Sequence, residues 1–144
     1  MPLLGRILCL LAGCHLMAAE VLFEHDRWNV PVVMPANPEP AEWYAAHSLA
    51  DWCERVTGKK PELIEEPGQA SGTPAGLYVG KTQAAQKAGV LAPPGEGDTA
   101  ICRAIGRSVF LVGNNPTATR IAVGRFCERS LGVFFAFPGP RGAD

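Results

Sequence analysis

Residues 108–138, SVFLVGNNPTATRIAVGRFCERSLGVFFAFP, decide how this chain folds. Residues 109–112 are a short continuous apolar run of β-prone side chains, the pattern of a strand buried within a sheet. Gly113-Asn114-Asn115-Pro116 breaks the run, and Thr117 or Thr119 is placed to cap the helix that follows. At helical spacing Ala122, Val123, Phe126, Cys127 and Leu131 share one face, while Arg120, Gly124, Arg125, Glu128 and Arg129 share the other. Gly132 then stands where a left-handed residue closes a helix, and residues 133–137 read as the next strand.

Working outward, 144 residues make one domain, large enough to bury most of its apolar surface. Charged residues are 19% and the net charge is −1, which gives no clustered basic footprint for nucleic acid. Residues 1–19, MPLLGRILCLLAGCHLMAA, carry an early Arg6, a short apolar run and small residues before Glu20. The run is too short to span a bilayer and matches a secretory signal cleaved after Ala19. Leu11-Ala12-Gly13-Cys14 also matches a bacterial lipobox, in which Cys14 would carry the lipid. Plain secretion is the favoured reading, because the first strand, expected from Val21, leaves almost no tether after Cys14. Membrane contact is thus expected only through such an anchor. The mature domain is residues 20–144, with 12 basic and 14 acidic residues.

Taken in order, residues 21–23 and 30–34 read as strands around the turn His25-Asp26-Arg27. Residues 41–56 form the first long helix. Its apolar face holds Trp43, Ala46, Leu49, Ala50, Cys53 and Val56, with Glu42, Asp51, Glu54 and Arg55 mostly outside. Gly58, late cations and Pro61 end it. Short strands follow at 63–64 and 76–80, with a Gly/Ser/Thr-rich loop between them. Thr82 caps a brief helix over 83–88 that Gly89 closes. Residues 100–105 and 109–112 pair as an antiparallel hairpin around Gly106-Arg107. The fold class is therefore α/β (α+β): a mixed sheet with two main helices packed on it.

No group of residues makes a convincing catalytic set. The 113–117 turn occupies the place of a phosphate loop but lacks the glycines and lysine of a Walker motif and any GxGxxG. Glu39/Glu42 and Glu65-Glu66 are carboxylate pairs expected to point apart and stay solvated. Glycoside hydrolysis needs two carboxyl groups facing one sugar across a cleft. His25 falls in a turn and His47 on the first helix, neither with a partner at catalytic spacing. Trp43 and Trp52 are nine residues apart, on opposite sides of that helix, which disfavours a shared sugar platform. Cys53, Cys102 and Cys127 lack zinc-ligand spacing, so no metal or cofactor is expected. Cys53 and Cys127 fall on apolar helix faces and read as buried small hydrophobes, with a Cys53–Cys127 bridge as the alternative.

Three segments carry a resemblance. Residues 119–133, TRIAVGRFCERSLGV, followed by Phe137-Pro138-Gly139, resemble the T-x-Y-A-V-x-x-F-L-E-x-x-L-G-V-R-x-x-x-P-G ending of the N-terminal α/β domain of bacterial α-glucuronidases. Chitobiase-type β-N-acetylhexosaminidases share this module in outline. Residues 45–61 resemble its A-A-x-E-L-x-x-Y-L-x-x-I-T-G-x-x-L-P, and residues 77–82 its I-x-V-G-x-T. Ile121, Ser48 and Phe134 depart from the residues usual there. The resemblance implies a non-catalytic accessory domain of an exported, carbohydrate-active protein. Hydrolysis in that family belongs to a following (β/α)8 barrel, so no catalytic residue is carried over. The alternative is a free-standing exported binding domain, periplasmic or extracellular, that docks onto a partner protein or glycan. Phe134, Phe135 and Phe137 exceed what one side of a strand buries, so residues 134–140 are expected to face the barrel or partner.

Overall fold

Residues 22–67 and 74–133 are described by a computed structural model of the chain. The leader with Cys14 and the expected strand and docking segment over 134–140 lie outside the described residues.

The N-terminal hairpin is tighter than its sequence suggests. Strand β1 (Phe23–Glu24) turns at His25-Asp26 and returns at once as β2 (Arg27–Trp28). His25 and Asp26 both hold positive φ, 51° and 61°, as a two-residue turn matched to strand twist requires. Arg27 therefore belongs to the returning strand rather than the turn. The Phe23 and Trp28 rings meet across this pair at 5.3 Å. The next strand, β3 (Val32–Met34), starts only after Pro31.

Four further strands join β3: β4 (Leu63–Glu65), β5 (Leu77–Val79), β6 (Ala100–Ile105) and β7 (Ser108–Gly113). Their order is β4-β3-β5-β7-β6, parallel throughout except for the antiparallel β6–β7 edge. The expected mixed sheet is thus present, and residues 100–105 and 108–113 form the expected hairpin. Alternation of side chains divides the sheet into two faces. Val32, Met34, Leu77, Val79, Val109 and Leu111 join one buried cluster, and Val33, Tyr78, Phe110 and Val112 join the other.

Helices α1 (Pro40–Thr57) and α3 (Pro116–Phe126) pack on the first face, and the short α2 (Gln83–Lys87) covers part of the second. On α1 the buried residues are Glu42, Ala45, Ala46, Leu49, Ala50 and Cys53. This corrects three positions. At 100° per residue Glu42 lies about 20° from Leu49, at the centre of the inward stripe, whereas Trp43 lies about 120° away. Glu42 is accordingly buried, and Trp43 is 40% exposed. Val56 has the inward phase but lies in the last turn and stays exposed. Gly58 closes α1 in the left-handed conformation, as expected.

The α3 face is as its spacing predicts: Ala122, Val123, Phe126, Cys127 and Leu131 are buried, and Arg120, Arg125, Glu128 and Arg129 are exposed. The helix starts at Pro116, and its cap is Asn115 rather than Thr117 or Thr119. Asn115 Oδ1 accepts from Ala118 N at 2.8 Å. Thr119 is buried and donates its hydroxyl to the Asn115 carbonyl instead. After Phe126 the backbone widens into one π turn, Cys127–Leu131, ended by Gly132 at φ 70°. Only a residue tolerant of positive φ closes this turn, whose Gly132 and Val133 N–H groups both return to the Cys127 carbonyl.

Candidate functional site

In an open α/β sheet, ligands bind beyond the carboxyl ends of the strands where neighbouring connections depart in opposite directions. Here that point lies between β3 and β5. The connection after β3 runs through α1 to β4, and that after β5 runs through α2 toward β6 and β7. Glu42 fills it. Its Oε2 accepts from Glu39 N at 3.0 Å, and its Oε1 accepts from Lys81 N at 2.9 Å across the gap. Gly80 holds φ 88°, and a Cβ there would stand 2.6 Å from Glu42 Oε1. The carboxylate expected to be solvated is thus a buried tie between α1 and the β5–α2 loop.

The second carboxylate pair is also divided. Glu65 is exposed, whereas Glu66 is half-buried and accepts from Gln83 N at 2.7 Å and Ala84 N at 3.0 Å. With Thr82 Oγ1 accepting from Ala85 N, the start of α2 is closed by the chain's own oxygens. The turn after β7 is closed in the same way. Asn114 donates to the Gly97 carbonyl and accepts from Thr99 N, both at 2.9 Å. Asn115 joins its cap on Ala118 N to a 2.8 Å bond with Asp98. A Cβ at Gly113 would lie 2.1 Å from Thr119 N, so β7 and α3 approach too closely for a ligand to enter between them. What resembled a phosphate loop is a strand–helix corner.

Aromatic groups lie elsewhere on α1. The His47 ring stacks on Trp43 with centroids 3.6 Å apart. Its Nδ1 is 2.9 Å from the Trp43 carbonyl, an acceptor, so Nδ1 carries the proton. Tyr44, 65% exposed, meets Trp43 edge-on at 5.1 Å. Trp52 is half-buried with the Arg55 guanidinium 4.7 Å above its ring. The two tryptophans therefore form no common platform. His25 is exposed, 3.8 Å from the Glu24 carboxylate.

On the second sheet face a groove of about 160 Å³ is floored by Val33, Ile64 and Tyr78 and walled by Ala84 and Lys87 of α2. Tyr78 donates its hydroxyl to the Pro74 carbonyl, and burial, with the Glu66 charge second, raises its ionisation above the ordinary range. The volume is below the roughly 300–1,000 Å³ of sites that enclose a small molecule. Among the described residues every buried side-chain nitrogen or oxygen has a hydrogen-bond partner. No three His, Cys, Asp or Glu side chains there gather as a metal site, and no helix is long and apolar enough to cross a membrane.

Glu42, Glu66 and Asn115 are the residues whose roles the sequence reading missed. Glu42 had a signal, since a carboxylate three residues beyond a helix cap is the reciprocal-capping pattern. Glu66 had none, because its partners lie 17 and 18 residues away across the fold. No protein-family model matches the chain, and no curated protein matches it significantly.

Proposed function

We propose that this chain is a non-catalytic accessory domain of an exported, carbohydrate-active protein, with hydrolysis belonging to a (β/α)8 barrel to which it is joined. One observation carries the reading. At the strand ends where an α/β sheet would take a ligand, Glu42, Asn114 and Asn115 hold the chain's own backbone. Such a domain supplies a rigid face, and the three sequence segments that resemble α-glucuronidase N-terminal domains support the same assignment.

The test is to assay the purified chain against aryl glucuronides and aryl N-acetylhexosaminides. No turnover above background is expected. Turnover that disappears on replacing a single carboxylate would overturn the reading. The second reading, a free-standing domain that binds a glycan or partner protein, draws on exposed Trp43 and Tyr44. It calls for a measurable loss of binding to polysaccharide or partner in Tyr44→Ala, with the fold unchanged. Reading the coding sequence beyond codon 144 separates the two: a continuing frame of alternating strands and helices favours the accessory domain.

A further inference from the structure

Among the described residues the sheet ends on β6, a six-residue strand paired on one side only. Its pairing with β7 fixes which backbone groups face outward. Asn114 N donates to the Thr99 carbonyl, and Ala100 lies opposite Gly113. Bonded pairs alternate along an antiparallel ladder, so Thr99, Ile101, Arg103 and Ile105 bond inward. Ala100 and Ala104, with Cys102 between them, turn their N–H and C=O groups away from β7. The Arg125 guanidinium agrees, since it reaches the Ala100 carbonyl from outside the ladder. Edge strands are commonly blunted by proline, a bulge or several charges. β6 has no proline, its register against β7 is unbroken, and its one charge is Arg103. Ile105 beside it is 43% exposed. The strand is also polarised by charge. Exposed Glu96 and Asp98 stand before it, and exposed Arg103 and Arg107 stand at its far end.

We propose that β6 pairs antiparallel with β6 of a second copy across a two-fold axis, joining two sheets into one. The charges select this direction. Antiparallel strands set the acidic start of each copy beside the basic end of the other, whereas parallel strands would set like beside like. The outward groups select the register. With the axis at Cys102, Ala100 of each copy lies opposite Ala104 of the other, and these two residues exchange both backbone bonds. A carbonyl oxygen has two lone pairs, so Arg125 keeps its contact with Ala100. Ile105 comes to lie diagonally across from Ile101 of the second copy, on the same face.

The test joins sedimentation equilibrium of the purified chain to amide exchange read residue by residue at rising concentration. A monomer–dimer equilibrium that weakens with added salt is expected. Exchange at Ala104 should slow about tenfold when nine-tenths of the chain is dimeric, by mass action. Exchange at Arg103, already bonded to Phe110, should not change. Ala104→Pro gives up an N–H that β7 does not use, and the variant should stay monomeric with the fold kept. If that variant fails to fold, Asp98→Lys, a reversal at an exposed carboxylate, carries the test and should raise the dimer Kd about fivefold or more. A chain that stays monomeric up to about 1 mM would overturn the proposal. So would a dimer that folded Ala104→Pro or Asp98→Lys leaves as tight as before. Protection at Ala104 that does not depend on concentration would also overturn it, by showing another segment of the same chain on the edge.

Discussion

Glu42 shows how one side chain joins two levels of the fold. It lies in the first turn of α1, yet its carboxylate also fixes the Lys81 backbone of the β5–α2 loop. Glu42→Ala leaves two part-buried N–H groups without that acceptor and should cost about 1–3 kcal/mol in urea unfolding. Gly80→Ala meets both a left-handed backbone and the Glu42 carboxylate and should cost at least about 1 kcal/mol more than an exposed Gly→Ala change. The buried thiols set a pH dependence. Burial first, then the Glu128 charge, pushes Cys127 from an ordinary 9.0 up to about 12, and burial raises Cys53 as well. Their folded values lie above the unfolded ones, so their contribution is whole below pH 9 and is lost as pH rises toward 12. In reducing buffer, stability should fall across that window by up to about 1.4 kcal/mol per pH unit for each thiol. Cys127→Ala should show a shallower slope in denaturant unfolding measured from pH 8 to 11.

Among the elements, α3 is the most informative because its two faces differ so sharply. Phe126 is 1% exposed within the first-face cluster, while the neighbouring Arg125 is exposed and donates to the Ala100 carbonyl at 3.3 Å. Phe126→Asp buries an unpaired charge and should destabilise by more than about 4 kcal/mol, enough to prevent folding at ordinary temperature. Arg125→Asp should change stability by less than about 1 kcal/mol. Thermal melts of the two variants check the assignment; equal melting temperatures would place α3 in the wrong phase. The helix ends follow a common rule, in that each start is closed by a side-chain oxygen of the chain itself.

At the scale of the molecule, the described residues form a five-stranded sheet with two long helices on one face and a short helix on the other, beside the small β1–β2 hairpin. Both long helices serve the core, and several of their outward charges are held in surface contacts, Asp51 with Lys60, Arg55 over Trp52 and Arg125 with the Ala100 carbonyl. Export adds a test at the same scale. Protein made in a bacterial host should carry an intact mass that begins at Glu20, or at an acylated Cys14 if the lipobox is used. An unprocessed Met1 in a host that exports such leaders would remove both readings.

Local chemistry was enough to determine much of this chain. The buried β7 run, the inward face of α3, the glycine stops at 58 and 132, the Thr82 cap and the β6–β7 hairpin each follow from residues within a few positions of one another. The period of a helix or strand and the demands of a turn act over that range. What only the tertiary structure decided are the long-range partners: Glu42 with Lys81, Glu66 with α2, and Asn115 with Asp98. Strand order sets these, and composition does not encode it locally. A carboxylate reads as solvated until the loop that needs its oxygens is folded against it.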